Sequence, residues 1–280
     1  MKLAQTAAVL LALTALSACV HRPTQNCGTP IMNFDAISQV KVVLLGEIHG
    51  TQEIPRFADD TVCGFVKRGQ PIILALEIPR NEQPRIDAYV ESSGDAAARL
   101  ALVDADFWRK TLDGRATVAM ADLIERVRSL KSAGATASIV AMDNGWGAAT
   151  LPGTRDEVMA RAVDEAVTRL GQRGVVIVLA GNVHTARVEK FPDLPVDTPM
   201  GYLLTTDSVM AFDASIDGGT ASTYGAPPAG HLFHKSHAEP PTEARAFVRF
   251  SQPDDRGYSG TFQVGRILAS PHIAKAWLGL

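Results

Sequence analysis

Four runs of this chain, Val40–Leu45, Ile72–Glu77, Ala137–Asp143 and Val175–Gly181, are apolar without alternation. A strand with one wet face alternates apolar and polar residues, whereas a strand covered on both faces reads as a continuous hydrophobic run. Helical patterns separate the runs. The first places Ile54, Phe57, Ala58, Val62, Phe65 and Val66 on one face, carries Pro55 in its opening turn and stops near Gly69. The second runs from about Thr117 to Ser132 with Met120, Ile124, Val127 and Leu130 inward, ending at Gly134. The third opens at Thr154-Arg155-Asp156-Glu157, a capping-box pattern after Pro152-Gly153, and turns Val158, Met159, Ala162, Val163, Ala166 and Leu170 inward. Strands alternating with helices predict an α/β fold with a mainly parallel central sheet flanked by helices. Beyond Pro199 the short β-like pieces GYLLTT, VMAFDAS, ARAFVRF and TFQVGRIL lie between Gly/Pro-rich loops, and they are expected to extend the same sheet.

The N-terminus reads differently. One Lys precedes an apolar run from Ala7 to Leu16, too short to span a bilayer and followed by small residues, as in a secretory signal. Leu16-Ser17-Ala18-Cys19 resembles the bacterial lipobox, in which the Cys is acylated and becomes the mature N-terminus. The expected organisation is a signal peptide over 1–19, a tether over 20–33 and one α/β domain over 34–280, lipid-anchored in the bacterial envelope, on the periplasmic side of the outer membrane. With Cys19 acylated, Cys27 and Cys63 form an even pair in an oxidising compartment, which predicts a disulfide between the segment before the first strand and the first helix. Such a loop is worth roughly 3 kcal/mol. A net charge of −3 supplies no basic face for a phosphate backbone, so nucleic acid is not an expected partner.

Each of the four runs ends in chemistry. Glu47 and His49 follow the first, Glu77 ends the second, Asp143-Asn144 ends the third, and Gly181-Asn182-Val183-His184 follows the fourth. The ends of parallel strands lie at one sheet edge, where ligand crevices form, so these residues are expected to converge. Burying several ionisable groups is costly unless they are paired, which favours a common site over separate structural uses. Arg155 adds to this, because a cation in the first turn of a helix opposes the dipole and needs a carboxylate or a substrate anion to meet. His231, His234 and His237 stand three apart and would chelate only if helical. Trp108 and Trp146 are placed either as an apolar wall of the crevice or in the core.

These residues resemble a known superfamily. Gly46-Glu47-Ile48-His49-Gly50-Thr51-Gln52-Glu53 is similar to the signature of the erythromycin esterases and of the ChaN haem-binding lipoproteins, and its Gly-x-x-His core resembles the Tiki/TraB proteins. Glu77, Arg155-Asp156-x-x-Met159-Ala160 and Gly181-Asn182-x-His184 resemble later motifs of the group, so the likeness spans about Val40 to Arg187. The esterase branch implies a hydrolase of ester-like bonds on a small-molecule substrate. His49 would be the general base that activates water, oriented by Glu47 or Glu77. Arg155 and His184 would stabilise an oxyanion or bind a substrate carboxylate, and Asp156 would fix Arg155. No Gly-x-Ser-x-Gly elbow is present, so direct attack by water fits better than an acyl-enzyme. A metal-assisted version would hold a divalent ion on Glu47, His49, Glu77 and His184. The ChaN branch implies instead a non-enzymatic haem binder in haem or iron uptake; the family's ligand maps to no position here, and Tyr202, Tyr224 and the late His residues are candidates only by ligand type.

Overall fold

In the computed structural model, the structure describes residues 27–144, 151–192, 194, 197–222, 231–233 and 245–278. Cys19, Trp146, Tyr224, His234 and His237 lie outside the described residues. The elements are β1 (Val42–Glu47), α1 (Glu53–Lys67), β2 (Ile72–Pro79), α2 (Gln83–Val90), α3 (Ala96–Val103), α4 (Asp106–Lys110), α5 (Val118–Ser132), β3 (Ala137–Asp143) and α6 (Arg155–Leu170), followed by β4 (Val175–Gly181), α7 (Asn182–Thr185), α8 (Met200–Leu203), β5 (Val209–Ala221), β6 (His231–Phe233), β7 (Ala246–Arg249) and β8 (Gly260–Ile267).

The strands form one eight-stranded sheet in the order β3-β2-β4-β1-β5-β8-β7, with β6 paired to β5. All the pairings are parallel except those of β6 and β7. The continuous apolar runs are explained by what covers them. Val43, Leu45, Leu74, Leu76, Ile177 and Leu179 pack under α1, α2 and α5, while Val42, Leu44, Ile73, Ala75, Val176 and Val178 face α6 and α8. Both faces of the central strands are therefore dry, and period-two alternation has nothing to report. Trp108 is fully buried in the α1/α5 layer, so it belongs to the core rather than to a crevice wall.

Helix boundaries follow the local chemistry. Thr117 accepts a hydrogen bond from Met120 N at the start of α5, and both bonds of the expected capping box are made at Thr154 and Glu157. The late strands extend the same sheet, as expected, with one exception. GYLLTT is not a strand: Pro199 opens α8, and the buried Asp156 carboxylate accepts the N–H of Met200 at 2.7 Å, which stabilises a helical turn instead. His231 begins a β-strand, and its spacing to His234 and His237 falls outside the described residues. Cys27 and Cys63 are joined by a disulfide with a Cα–Cα distance of 5.6 Å, tying the N-terminal segment to α1. No helix among the described residues is long and apolar enough to cross a membrane.

Candidate active site

The C-terminal ends of β1, β2 and β4 share a cleft of about 450 Å³, and Asp143 at the end of β3 supports it from behind by accepting from the lining residues Arg115 and Arg155. Its lining includes Glu47, His49, Glu77, Asp113, Arg115, Arg155, Asn182 and His184. Glu77 is the hub. Its side chain is only 3% exposed, and its Oε1 accepts from Arg155 Nη2 at 2.5 Å while its Oε2 accepts from Gly181 N at 2.7 Å. Arg115 Nη1 and His49 Nε2 each lie 3.4 Å from this carboxylate. Opposing partners therefore hold it charged, and against the cost of burial His49 first, then His184 and Arg155, keep it well below the usual carboxylate range.

The two imidazoles on either side of this hub have opposite environments. His49 Nδ1 lies 3.0 Å from Glu47 Oε1, and its Nε2 faces Glu77 Oε2. Two carboxylates can only accept, so both ring nitrogens carry protons and the ring is an imidazolium. Burial disfavours that charge, but Glu77 and then Glu47 outweigh it and push the pKa up to about 10. His184 is arranged the other way. Its Nε2 is 2.9 Å from Arg155 Nη1, and a guanidinium can only donate, so this nitrogen accepts. Its Nδ1–H then donates to Asp156 Oδ1 at 2.8 Å, and the ring is neutral with its tautomer fixed.

Several expectations change at this point. Asp156 does not fix Arg155. Adjacent residues on a helix point in different directions, and Asp156 turns to His184 and Met200 N while Arg155 turns over the sheet edge. Arg155 is fixed by Asp143, which accepts from its Nε at 2.7 Å and its Nη2 at 2.8 Å, and by Glu77. The carboxylates that Arg155 was expected to meet are therefore the protein's own. Asn144 stays out of the cleft and bonds the backbone of Leu151. A general base needs a pKa near neutrality, which His49 lacks because both Glu47 and Glu77, rather than one of them, flank the ring.

Two lining residues escaped the sequence reading. Arg115, 4% exposed, donates from Nη1 to Asp143 Oδ2 at 2.6 Å and to the Glu77 carbonyl at 3.2 Å. Asp113 accepts from Arg115 Nε and Nη2 at 2.9 and 2.7 Å. Both lie on the loop before α5 rather than at a strand end. Their only signal was a charged Asp-Gly-Arg just ahead of a capped helix.

No family model matches the chain, and no curated protein matches it. Solved structures do. A structural-genomics protein from Bacillus cereus aligns at TM-score 0.56 with 11% identity, covering 85% of this chain and 91% of its own. A mutant of the erythromycin esterase EreC, in its open conformation, aligns at TM-score 0.56 with 12% identity over 85% of this chain and 93% of its own. The chain has an erythromycin esterase-like fold. At these identities the likeness is one of fold. ChaN of Campylobacter jejuni, described with cofacially bound haem, aligns at TM-score 0.42 with 14% identity over 65% of this chain and 84% of its own, too low to support an argument.

Within that fold, the donors expected for a divalent ion are committed elsewhere. Glu77 and His184 Nε2 both accept from the Arg155 guanidinium, and both nitrogens of His49 face carboxylates. A cation among them would lie against Arg155, and no group of His, Cys, Asp and Glu among the described residues is arranged to hold a metal. The set does not fit the ion. Haem has little support in this cleft, because neither imidazole presents a free ring nitrogen and the floor is a network of charges rather than a flat apolar slot. Tyr202 is 48% exposed on α8 and does not line the cleft.

Proposed function

We propose that this protein hydrolyses ester-like bonds of a small molecule by direct attack of water, with His184 as base and His49 as acid. The observation that carries the reading is the pair of imidazoles with opposite hydrogen-bond roles around Glu77: His49 lies between two carboxylates, whereas His184 Nε2 faces the Arg155 guanidinium. A ring held protonated between two carboxylates and a second ring with a lone pair turned to a donor can divide acid and base roles between them. The Asp156–His184 pair has the orientation a base requires, with Nδ1–H held by a carboxylate and a lone pair at Nε2. The role of base, expected at His49, passes to His184 because a base must arrive unprotonated. No Ser, Thr or Cys lines the cleft among the described residues, which supports water as the nucleophile. The EreC fold likeness is consistent with esterolysis and lends no substrate.

The steps balance. Water displaces Arg155 Nη1 from His184 Nε2, gives that nitrogen a proton and adds to the carbonyl carbon. The oxyanion forms beside the His49 imidazolium and Arg155. On collapse the C–O bond to the alcohol breaks, and the departing oxygen takes the proton of His49 Nε2. The proton held by His184 then returns to His49 by way of Glu77, whose Oε1 lies 3.9 Å from His184 Nε2 and whose Oε2 lies 3.4 Å from His49 Nε2. Turnover of a panel of nitrophenyl esters tests this. His184→Gln and His49→Gln should each lower kcat by roughly 100-fold or more, and undiminished kcat in His184→Gln would remove the base assignment. We further propose that the chain acts from a lipid anchor at Cys19 on the periplasmic side of the outer membrane, a reading that the Cys27–Cys63 disulfide supports through its need for an oxidising compartment. A Cys19→Ser variant should leave the membrane fraction, and retention there would refute the anchor.

A further inference from the structure

His49 stands on a loop beyond β1, and loops at a sheet edge are ordinarily the looser part of an α/β protein. Here the loop is held from behind. Gly50 adopts φ +78°, a left-handed conformation in which its carbonyl accepts two backbone N–H groups, from Ser222 at 3.0 Å and from Ser270 at 2.8 Å. A Cβ at Gly50 would fall 1.9 Å from Ser222 O, so only glycine allows that approach. Next to it, Gln52 N donates to Leu268 O at 2.9 Å, and the Gln52 side-chain amide donates to Ala269 O at 3.0 Å.

The same strap, the segment that follows β8, also holds the second loop of the cleft. Val118 N donates to Pro271 O, Ile273 N donates to Ala116 O, and the His272 Nε2–H donates to Thr111 O at 2.9 Å. These contacts bracket Arg115, whose guanidinium shares Glu77 with His49. Ser270 touches both loops at once. Its N–H meets Gly50 O, and its fully buried Oγ accepts from Ala119 N at 3.1 Å, one of the otherwise unpaired donors in the first turn of α5.

We propose that Ser270 is a positioning residue of the cleft: it clamps the His49 loop to the start of α5 and so sets the spacing of His49 and Arg115 across Glu77. The clamp rests on the hydrolase reading only for its effect on turnover. Its effect on the geometry of His49 does not depend on any substrate. A misplacement of about 1 Å at a reacting group costs about 100-fold in rate, so a clamp of this kind should be visible in kcat.

The test compares Ser270→Ala, which loses the Oγ link, with Ser270→Thr, which keeps it. Four quantities are read: the His49 Cε1–H resonance at neutral pH, kcat and KM on a nitrophenyl ester, and the melting temperature. Ser270→Ala should displace the His49 resonance and lower kcat by about 10- to 100-fold with KM nearly unchanged, and Ser270→Thr should restore both. A lower melting temperature with the His49 resonance unmoved would make Ser270 merely structural and overturn the proposal. If the wild type hydrolyses no ester, the hydrolase reading fails and the resonance alone decides the clamp. If Ser270→Ala does not fold, amide exchange of the wild type decides: the Ser270 and Val118 amides must be as protected as those of β1, and rapid exchange there would refute the clamp.

Discussion

The protonation of His49 makes the stability of the whole protein pH-dependent in a way that can be calculated. In the unfolded chain an imidazole titrates near 6.5, whereas the folded site raises it to about 10. A group whose pKa is raised on folding contributes stability that is fully present below the unfolded value and is lost as pH climbs through the folded one. The window is therefore about pH 6.5 to 10. Integrating the linkage between pH 7 and pH 9.5 gives a loss on the order of 3 kcal/mol from this ring alone. The His49 side chain is 20% exposed, so solvent screening takes only part of that figure. Other groups also titrate at high pH, so the measurement is a difference: urea unfolding of wild type and of His49→Gln at both pH values. His49→Gln leaves Glu47 and Glu77 facing each other without their shared cation, so it should be much less stable than wild type at pH 7. The gap should close by a few kcal/mol at pH 9.5, where the wild-type ring is discharging. A gap that stays constant between the two pH values would mean that His49 is not an imidazolium between two carboxylates, and both its acid role and the opposite-state argument would fall.

Glu77→Gln keeps the shape of the hub and removes its charge, so Arg155, Arg115 and His49 lose a buried counter-ion. The expected cost is about 3–5 kcal/mol at pH 7, read by urea denaturation, and a cost under about 1 kcal/mol would show the hub to be solvated. Asp156→Asn can still accept from Met200 N but no longer fixes the His184 tautomer by charge. It should lower kcat by about 10³-fold or more with little change in melting temperature, and unaltered kcat would detach Asp156 from the base. Gly181→Ala puts a methyl 3.1 Å from His49 Nε2 and 3.4 Å from Glu77 Oε2; ester turnover should fall at least about tenfold, with the fold intact by circular dichroism, and normal turnover would show that the rings move freely. Reducing the Cys27–Cys63 bridge, with a sequence separation of 36, should cost about 3–4 kcal/mol in the chain-entropy account. An unchanged unfolding midpoint after reduction would refute that contribution.

What was legible in the sequence was whatever local pattern controls. Strands dry on both faces read as unbroken apolar runs, and the rule that parallel strand ends converge is enough to bring Glu47, His49, Glu77, Asp143 and His184 together. The capping box located the start of α6 and with it Arg155 and Asp156. What was not legible depends on distant contacts. Arg115 enters the cleft because its loop is held by residues 270–273, and no pattern around Asp113-Gly114-Arg115 reports that strap. The turn at Met200 forms because a carboxylate from α6 caps it, so the apolar run of GYLLTT misled. The division between the two imidazoles was hidden for the same reason, since it depends on which partner each ring nitrogen meets.

The strand order explains how that division arises. β4 enters the sheet between β1 and β2, so Glu77 at the end of β2 and His49 beyond β1 are two strand spacings apart, about 10 Å between the backbones. They meet because β4 ends in Gly181, which lets both side chains close over its backbone and supplies its own N–H to Glu77 Oε2. The opposite oxygen of Glu77 is left for Arg155, and Arg155 in turn occupies His184 Nε2. One carboxylate thus helps to protonate one ring directly and holds the other neutral through a guanidinium. A side chain at position 181 would press on His49 and Glu77 at the start of that chain of contacts, so both proton states rest on a residue that itself carries no charge.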